Sequence, residues 1–469
     1  MNEIRLTATW VAAAMRAANA TLVSGAEDLE FGGVSIDSRT IARGDLFYAI
    51  RGERFDGADF LAAALAKGAG GVVAPRGWSR SGPGGGHAVI EVDDPIAALQ
   101  ALANAIRRES GAKVGAITGS AGKTTTKEIA SELLSTRYRV IRNRGNLNNH
   151  IGLPLSLVEL RHRPEIAVVE LGMNHAGEIR TLVHIAEPDV RVWTNVGEAH
   201  LGFFASIDAI ADAKAEILEA ADASTVIVAN ADDDRIIERL PGFRGRRVTF
   251  GIERAADVRA VDIVDRGVDG MSARLETPRG SVPVASAMIG RGSLSNLLAA
   301  TSVALEFDVP LGAIAERASR MQPATHRGEV IRFADGVILV DDSYNSNPTA
   351  VKRALDVLER SRARRRVAVL GEMLELGDRS IALHEEVGRA VARALIDGLF
   401  TVGGPPASAM ASAAVAAGMP GAGVRHFPTS EEAAEAAGAL VRPGDLVLIK
   451  GSRGVHTDRI VERLKAEHG

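Results

Sequence analysis

Short apolar runs, each closed by a polar residue, recur down the chain and alternate with stretches of helical periodicity. The clearest are Val114 to Thr118, Ile166 to Glu170, Val190 to Asn195 and Thr225 to Asn230. Apolar strands separated by helices are the pattern of a mainly parallel, doubly wound sheet covered on both faces. Ligands of such sheets bind beyond the carboxyl ends of the strands, so Thr118, Glu170, Asn195 and Asn230 are expected to rim one crevice. Upstream, Val34 to Ala74 reads as strand, turn, strand and helix, with Gly68, Ala69, Gly70 and Gly71 before the short run Val72 and Val73. Ser81 to Gly86 reads as a surface loop, and Pro95 starts an alanine-rich helix running towards Ser110. Beyond about Met321 the alternation resumes in Val337 to Val340, Val367 to Leu370, Leu399 to Val402 and Leu446 to Ile449, a second nucleotide-fold-like region, with Ala407 to Ala417 as ordinary helix. The expected fold is α/β in three domains, 1–109, 110–320 and 321–469.

At the N-terminus Arg16 interrupts the apolar run around Ala12, Ala13 and Ala14, so the segment reads as an amphipathic helix with Thr7 or Thr9 near its N-cap, not as a signal peptide. No apolar stretch approaches the roughly 18 residues of a membrane span. The chain has 469 residues, and its 46% hydrophobic content can fill several cores. Basic residues number 55 and acidic ones 59, a formal charge of −4 that offers no bulk electrostatic reason for a nucleic-acid or membrane-surface partner. A small ligand is the better expectation. The absence of cysteine excludes disulfides, thiolate zinc sites and cysteine nucleophiles, and makes the cytoplasm the simplest address.

Candidate chemistry begins where Val114 to Thr118 meets the helical stretch Lys123 to Leu134. Between them lies Gly119-Ser120-Ala121-Gly122, and the helix opens on Lys123, Thr124, Thr125 and Thr126. Glycines allow the tight turn that aims amides at phosphate oxygens, and the helix N-terminus adds a favourable dipole. Lys123 would neutralise β and γ oxygens, and Thr124 would ligate magnesium. The general G-x-x-x-x-G-K-[ST] pattern wants glycine where this chain has Ile117, so the loop is a shorter variant. Alone, it implies ATP and leaves the reaction open.

Further segments narrow the reaction: Asn146-Leu147-Asn148-Asn149-His150-Ile151-Gly152, Glu170-Leu171-Gly172-Met173-Asn174, Ala199-His200-Leu201, Asp342-Ser343-Tyr344-Asn345-Ser346-Asn347-Pro348, Gly371-Glu372-Met373-Leu374-Glu375-Leu376-Gly377 and Lys450-Gly451-Ser452-Arg453. Together with Asp37-Ser38-Arg39 and Gly44-Asp45-Leu46-Phe47 near the N-terminus, they resemble the Mur ligases, ATP-dependent amide-forming enzymes of peptidoglycan precursor synthesis. The resemblance covers all three segments. Ser346 stands where the family more often has alanine, a small departure. No Asp-Asn-Pro-Arg segment of the diaminopimelate-adding branch is present, which favours the branch that adds a dipeptide.

The resemblance implies a UDP-sugar-binding N-terminal domain, a central P-loop ATPase-like parallel sheet and a C-terminal Rossmann-like domain. It implies D-alanyl-D-alanine and a UDP-N-acetylmuramoyl-tripeptide as substrates, joined through an acyl phosphate made with ATP. Magnesium, two ions in the family, offsets the repulsion between carboxylate and phosphate. Thr124 and Glu170 are implied as magnesium ligands, and His200 as ligand of a second ion; a strand-end ion pair and a merely hydrogen-bonded histidine are the alternatives. Lys214 matches a lysine that several members carry as a carbamate, which would supply anionic oxygens; an ordinary ion-paired lysine is the alternative. Asn296 would read adenine, with helix capping as its rival. Arg327 would face phosphate, Asp342 ribose or metal-bound water, and Tyr344 the adenine ring, so that the site completes when the third domain closes on the second. Ser38 and Arg39 would lie near UDP, with an Asp-Ser turn and an exposed arginine as the alternative, and Asn149 near substrate. Lys450, Ser452 and His384 belong to the segment where the dipeptide is expected, with cap, surface charge and packed polar residue as alternatives. Rival readings are a relative that adds a single amino acid, a non-catalytic ATP-binding module and a simple P-loop kinase.

Overall fold

Asp94 accepts a hydrogen bond from the Ile96 amide at 2.8 Å and Pro95 occupies the first turn, so the helix Pro95–Ser110 starts where the sequence says it should. It ends at Gly111, whose φ of +69° is the left-handed conformation that closes helices. Ala98, Leu99, Leu102, Ala103 and Ile106 form its buried face. At the N-terminus the helix Ala8–Ala14 has Thr7 as its N-cap, the hydroxyl accepting from Trp10 N.

The computed structural model describes residues 3–78, 87–143, 145–199 and 201–469. The loop expected over Ser81 to Gly86 lies outside the described residues, as does His200. The chain divides into two compact units, one of Met1–Ile117, Arg137–Arg191 and Glu216–Thr225, the other of Thr118–Thr136, Val192–Ala215 and Val226–Gly469.

In the first unit, a five-stranded sheet runs in the order Thr21–Ser24, Ala88–Val92, Gly71–Pro75, Leu46–Tyr48, Val34–Ser35. Only the pairing of Thr21–Ser24 with Ala88–Val92 is antiparallel. Phe47, Val72 and Ala74 on one side of it pack with Leu61, Ala64 and Leu65 of the helix Leu61–Ala66. Elsewhere in this unit Ile166–Glu170 lies parallel between Lys113–Thr118 and Val140–Arg142, with Glu170 opposite Ile117. Arg191, 2% exposed, donates to the carbonyls of Ile217, Glu219 and Ala220 and so pins the Glu216–Thr225 segment to its own unit.

In the second unit, Val226–Asn230 pairs parallel with Arg246–Gly251. Val258–Asp265, Met271–Thr277 and Gly280–Ser286 continue as an antiparallel meander. The meander was not expected; its strands alternate buried and exposed residues, because one face is open to solvent, and such strands lack the continuous apolar run of the parallel ones. The helices Lys123–Leu134 and Gly290–Glu306 pack on each other. The C-terminal sheet has six strands in the order Glu329–Arg332, Ile338–Asp342, Asp445–Lys450, Arg365–Gly371, Gly398–Val402, Val424–Phe427. All but the first pairing are parallel. Here the last strand of the chain inserts between two earlier ones. That crossover opens the carboxyl end of the sheet at Asp342, Lys450 and Gly371.

Candidate active site

The strand expected to reach Asn195 stops at Trp193. Thr194 and Asn195 leave the ladder because their polar groups hold the glycine loop. Thr194 Oγ1 donates to Ala121 O at 2.8 Å, Asn195 Nδ2 donates to the same carbonyl at 2.9 Å, and Asn195 Oδ1 accepts from Ala121 N at 2.8 Å. Ser120 N donates to Asn195 O at 3.0 Å, while the Ser120 hydroxyl bonds both the carbonyl and the amide of Gly197. Asn230 Nδ2 in turn donates to Thr194 O at 2.8 Å, and Thr194 N to Thr118 O at 3.0 Å. Three of the four strand-end residues, Thr118, Asn195 and Asn230, thus meet in the second unit.

This bracing changes which amides can serve phosphate. Those of Ser120 and Ala121 are committed to Asn195. The first helical bond is Thr126 N to Gly122 O at 2.8 Å, so the amides before it point out of the helix N-terminus, the geometry that receives phosphate oxygens. Both glycines are required by space as well as by φ. At Gly119 (φ +151°) an added Cβ would lie 1.9 Å from Thr194 Oγ1, and at Gly122 (φ +80°) 2.3 Å from Asn296 Oδ1. Asn296 therefore abuts the loop, and it sits inside the helix Gly290–Glu306, which removes helix capping as its role. Lys123 is half-buried with Nζ donating to Gly119 O at 2.9 Å, so its charge stays at the loop. A positive helix end, a lysine and side-chain-free turns suit a polyphosphate.

The C-terminal portion of the same unit reaches this loop. Arg327 Nη2 donates to Thr124 Oγ1 at 3.2 Å, and its guanidinium lies 3.8 Å over the Tyr344 ring. One face of Tyr344 is thereby taken by arginine. Asp342 Oδ2 accepts from Lys450 Nζ at 2.7 Å, and Lys450 also donates to Asn345 O at 2.9 Å. Lys450, Ser452 and His384 are all buried, which removes the surface-charge alternative. Ser452 Oγ accepts from Leu374 N at 2.9 Å. His384 Nε2 accepts from Met373 N at 2.9 Å and its Nδ1 donates to Ser380 O at 2.7 Å, fixing the neutral tautomer. Burial pulls His384 below its usual 6.5, so the unfolded chain takes up the proton first. The stabilisation it gives is complete above about pH 6.5 and is lost as pH falls through the lower folded value. Urea denaturation at neutral and mildly acidic pH is expected to show this acid limb, flattened in His384→Gln.

Lys214, 1% exposed, lies in the last turn of Ile207–Ala215. Next to the undescribed His200, Gly202 N donates to Glu375 O at 2.8 Å. In the first unit Glu170 is 4% exposed. Its amide donates to Asn143 Oδ1 at 3.0 Å and its Oε1 accepts from Asn148 Nδ2 at 2.8 Å, so the carboxylate is oriented from its own unit. Asn143 was not singled out in the sequence; only its place in the fold identifies it. Asn149 Oδ1 accepts from Gly152 N at 2.8 Å at the start of Gly152–Val158. Arg39 folds back on Asp37, Nη2 to Oδ2 at 2.7 Å, and this hydrogen bonding lowers the Asp37 carboxyl to about 2; Ser38 beside it is half-buried. A hydroxyl at Thr124 and an oriented carboxylate at Glu170 are hard oxygen donors of the kind magnesium takes. Among the described residues, no group of three or more His, Asp or Glu side chains is arranged to hold a metal, and no helix is long and apolar enough to cross a membrane.

Family models match along the chain: the Mur ligase family catalytic domain over residues 30–107, the Mur ligase middle domain over 117–304 and the Mur ligase glutamate ligase domain over 326–453. A UDP-N-acetylmuramoyl-tripeptide–D-alanyl-D-alanine ligase of Bacillus subtilis is 34% identical over 437 residues, 92% of this chain and 93% of that protein. The ligase of the same name from Escherichia coli is 33% identical, covering 93% of this chain and 94% of the other. Among solved structures, MurF from Acinetobacter baumannii superposes with a TM-score of 0.88 at 32% identity, covering 99% of this chain and 100% of that one. MurF from Thermotoga maritima in complex with ADP gives 0.81 at 30% identity, covering 93% and 97%.

Proposed function

Since the chain belongs to the Mur ligase family, we propose that it joins D-alanyl-D-alanine to UDP-N-acetylmuramoyl-tripeptide at the expense of ATP, in peptidoglycan precursor synthesis. The tripeptide carboxylate takes the γ-phosphoryl group, and the dipeptide amine then displaces phosphate from the acyl phosphate. The observation that carries the choice of amine is the whole-length likeness to dipeptide-adding ligases. What supports ATP is the braced glycine loop at a helix N-terminus.

Within this reading Lys123 and the helix start hold phosphate oxygens, Asn296 reads adenine beside Gly122, and Arg327 directs positive charge at the transferring group. Magnesium, when bound, offsets the charge between carboxylate and phosphate; Thr124, Glu170, His200 and a carbamylated Lys214 are the proposed ligands. Lys214 is buried in the last turn of its helix, and the carbamate is carried over from the family lysine that it matches. Asp342 is assigned to ribose or metal-bound water, Tyr344 to the adenine side, and Ser38, Arg39 and Asn149 to the UDP-tripeptide. The proposed domains are 1–109, 110–320 and 321–469. A cytoplasmic address belongs to the same proposal, because the reaction draws on ATP.

The test is ADP release with UDP-N-acetylmuramoyl-tripeptides carrying diaminopimelate or lysine, with and without D-alanyl-D-alanine. Dipeptide-dependent release of ADP and free phosphate is expected. Stimulation by a single amino acid with a shorter precursor, and none by the dipeptide, would overturn the choice of amine.

A further inference from the structure

Asp341, the neighbour of the assigned Asp342, is 0% exposed. Its Oδ2 meets His326 Nδ1 at 2.7 Å, and its Oδ1 accepts from the Ser343 hydroxyl at 2.6 Å and the Ser343 amide at 3.2 Å. A carboxylate oxygen accepts, so Nδ1 of His326 is read as the donor of this bond. These bonds hold a turn that the backbone by itself disfavours. His326 has a φ of +61°, in the left-handed region where a non-glycine residue persists only when its surroundings enforce it, and Gly328 follows at +79°. Gly328 N donates to Asp341 O at 2.9 Å and Tyr344 N to His326 O at 3.3 Å, tying one end of the turn to the strand Ile338–Asp342 and the other to the turn that follows that strand. Arg327 stands between these two tied residues.

We infer that His326, Asp341 and Ser343 form a positioning device that aims Arg327 at the first turn of the nucleotide-loop helix. Its effect on the reaction passes through the Arg327 guanidinium, which stacks on Tyr344 and donates to Thr124 Oγ1. Tyr344 is fixed by the same turn, so the cation and the ring beneath it are set together. The inference rests on the proposed ATP-dependent activity and on Arg327 facing phosphate, and it adds positioning residues for that step. A turn serving only the stability of the C-terminal sheet would hold the same bonds without coupling to Arg327.

The coupling is therefore what the experiment measures. His326→Leu removes the donor and makes the left-handed turn harder to hold. It is expected to lower kcat by about 100-fold, the cost of a misplacement of about 1 Å at a reacting centre, with the KM for D-alanyl-D-alanine unchanged. His326→Asn keeps an amide donor near the Nδ1 position and tolerates the left-handed conformation; it is expected to stay within about threefold of wild type. In an Arg327→Ala background His326→Leu should cost nothing further. Equal losses in both backgrounds, or no rescue by asparagine, would overturn the device. Should His326→Leu fail to fold, Ser343→Ala probes the same carboxylate: about a tenfold loss is expected in the native background and none beside Arg327→Ala, and equal losses again count against it. Calorimetric binding of a non-hydrolysable ATP analogue reads the same coupling without any acceptor or amine. It should be weakened by either single substitution and no further by both, and additive losses would overturn the inference. A wrong choice of amine leaves that arm intact, so the two failures are distinguishable.

Discussion

Replacing Lys123 by alanine is expected to lower kcat for dipeptide-dependent ADP release by about 10²- to 10³-fold, the loss of about 3–4 kcal/mol that follows removal of one preorganised group from a developing charge. Lys123 opens the helix Lys123–Leu134, and its Nζ is bonded to Gly119 O, so the ammonium is held at the loop before nucleotide arrives. Two anions must meet in the first chemical step, and a fixed cation reduces their repulsion more in the transition state than in the ground state. The loss should therefore fall on kcat more than on the KM for the UDP-tripeptide. Lys123→Arg should not restore activity, because a planar fork cannot fill the place of a compact ammonium between the loop carbonyl and phosphate. Steady-state constants for all three substrates, with thermal unfolding as a control on the fold, check this. A kcat within threefold of wild type would remove Lys123 from the phosphate site.

Gly119→Ala is expected to raise the KM for ATP and lower kcat/KM by about 100-fold, with about 1–3 kcal/mol of lost stability. The new Cβ would come within 1.9 Å of Thr194 Oγ1, the hydroxyl that holds Ala121 O. Either the loop shifts or Thr194 turns away, and both release the turn that precedes the helix start. Adding Thr194→Ala removes the clashing oxygen but also the bond to Ala121, so the double variant should recover stability and little nucleotide affinity. Denaturation and ADP-binding calorimetry separate the two effects. Unchanged ADP affinity in Gly119→Ala would mean that the loop does not receive phosphate.

Much of this was legible in the chain. The eight continuous apolar runs fell within a residue or two of parallel strands at most ends, because strands buried on both faces have few polar positions to blur them, whereas the parallel strands Ala88–Val92, Val140–Arg142, Arg246–Gly251 and Val424–Phe427 were not singled out. The helix Pro95–Ser110 announced itself through Asp94, Pro95 and Gly111, which act within one turn of the residues they terminate. The meander over Val258–Ser286 was less legible, since half-exposed strands mix apolar and charged residues. The strand overrun at Thr194 and Asn195 has a different cause. Thr194 has strand character and Asn195 was read as the polar residue closing the run, but tertiary demand for their polar atoms decided otherwise.

By itself the sequence determined the central apolar strands and the helix at Pro95–Ser110, that a glycine turn followed by lysine and threonine meets a helix start, and through its motifs which family's chemistry to expect. These depend on residues a few positions apart, where periodicity, propensity and capping operate. Only the tertiary structure decided that Asn195 takes up two loop amides, that Glu170 is oriented by Asn143 and Asn148, and that Arg327, 203 positions from Thr124, reaches its hydroxyl with Asp341 and His326 behind it. A polar side chain has many partners of equal chemistry available along the sequence. Which one it takes is settled by burial and by which distant backbone the packed core brings within about 3 Å, and no local pattern encodes that choice.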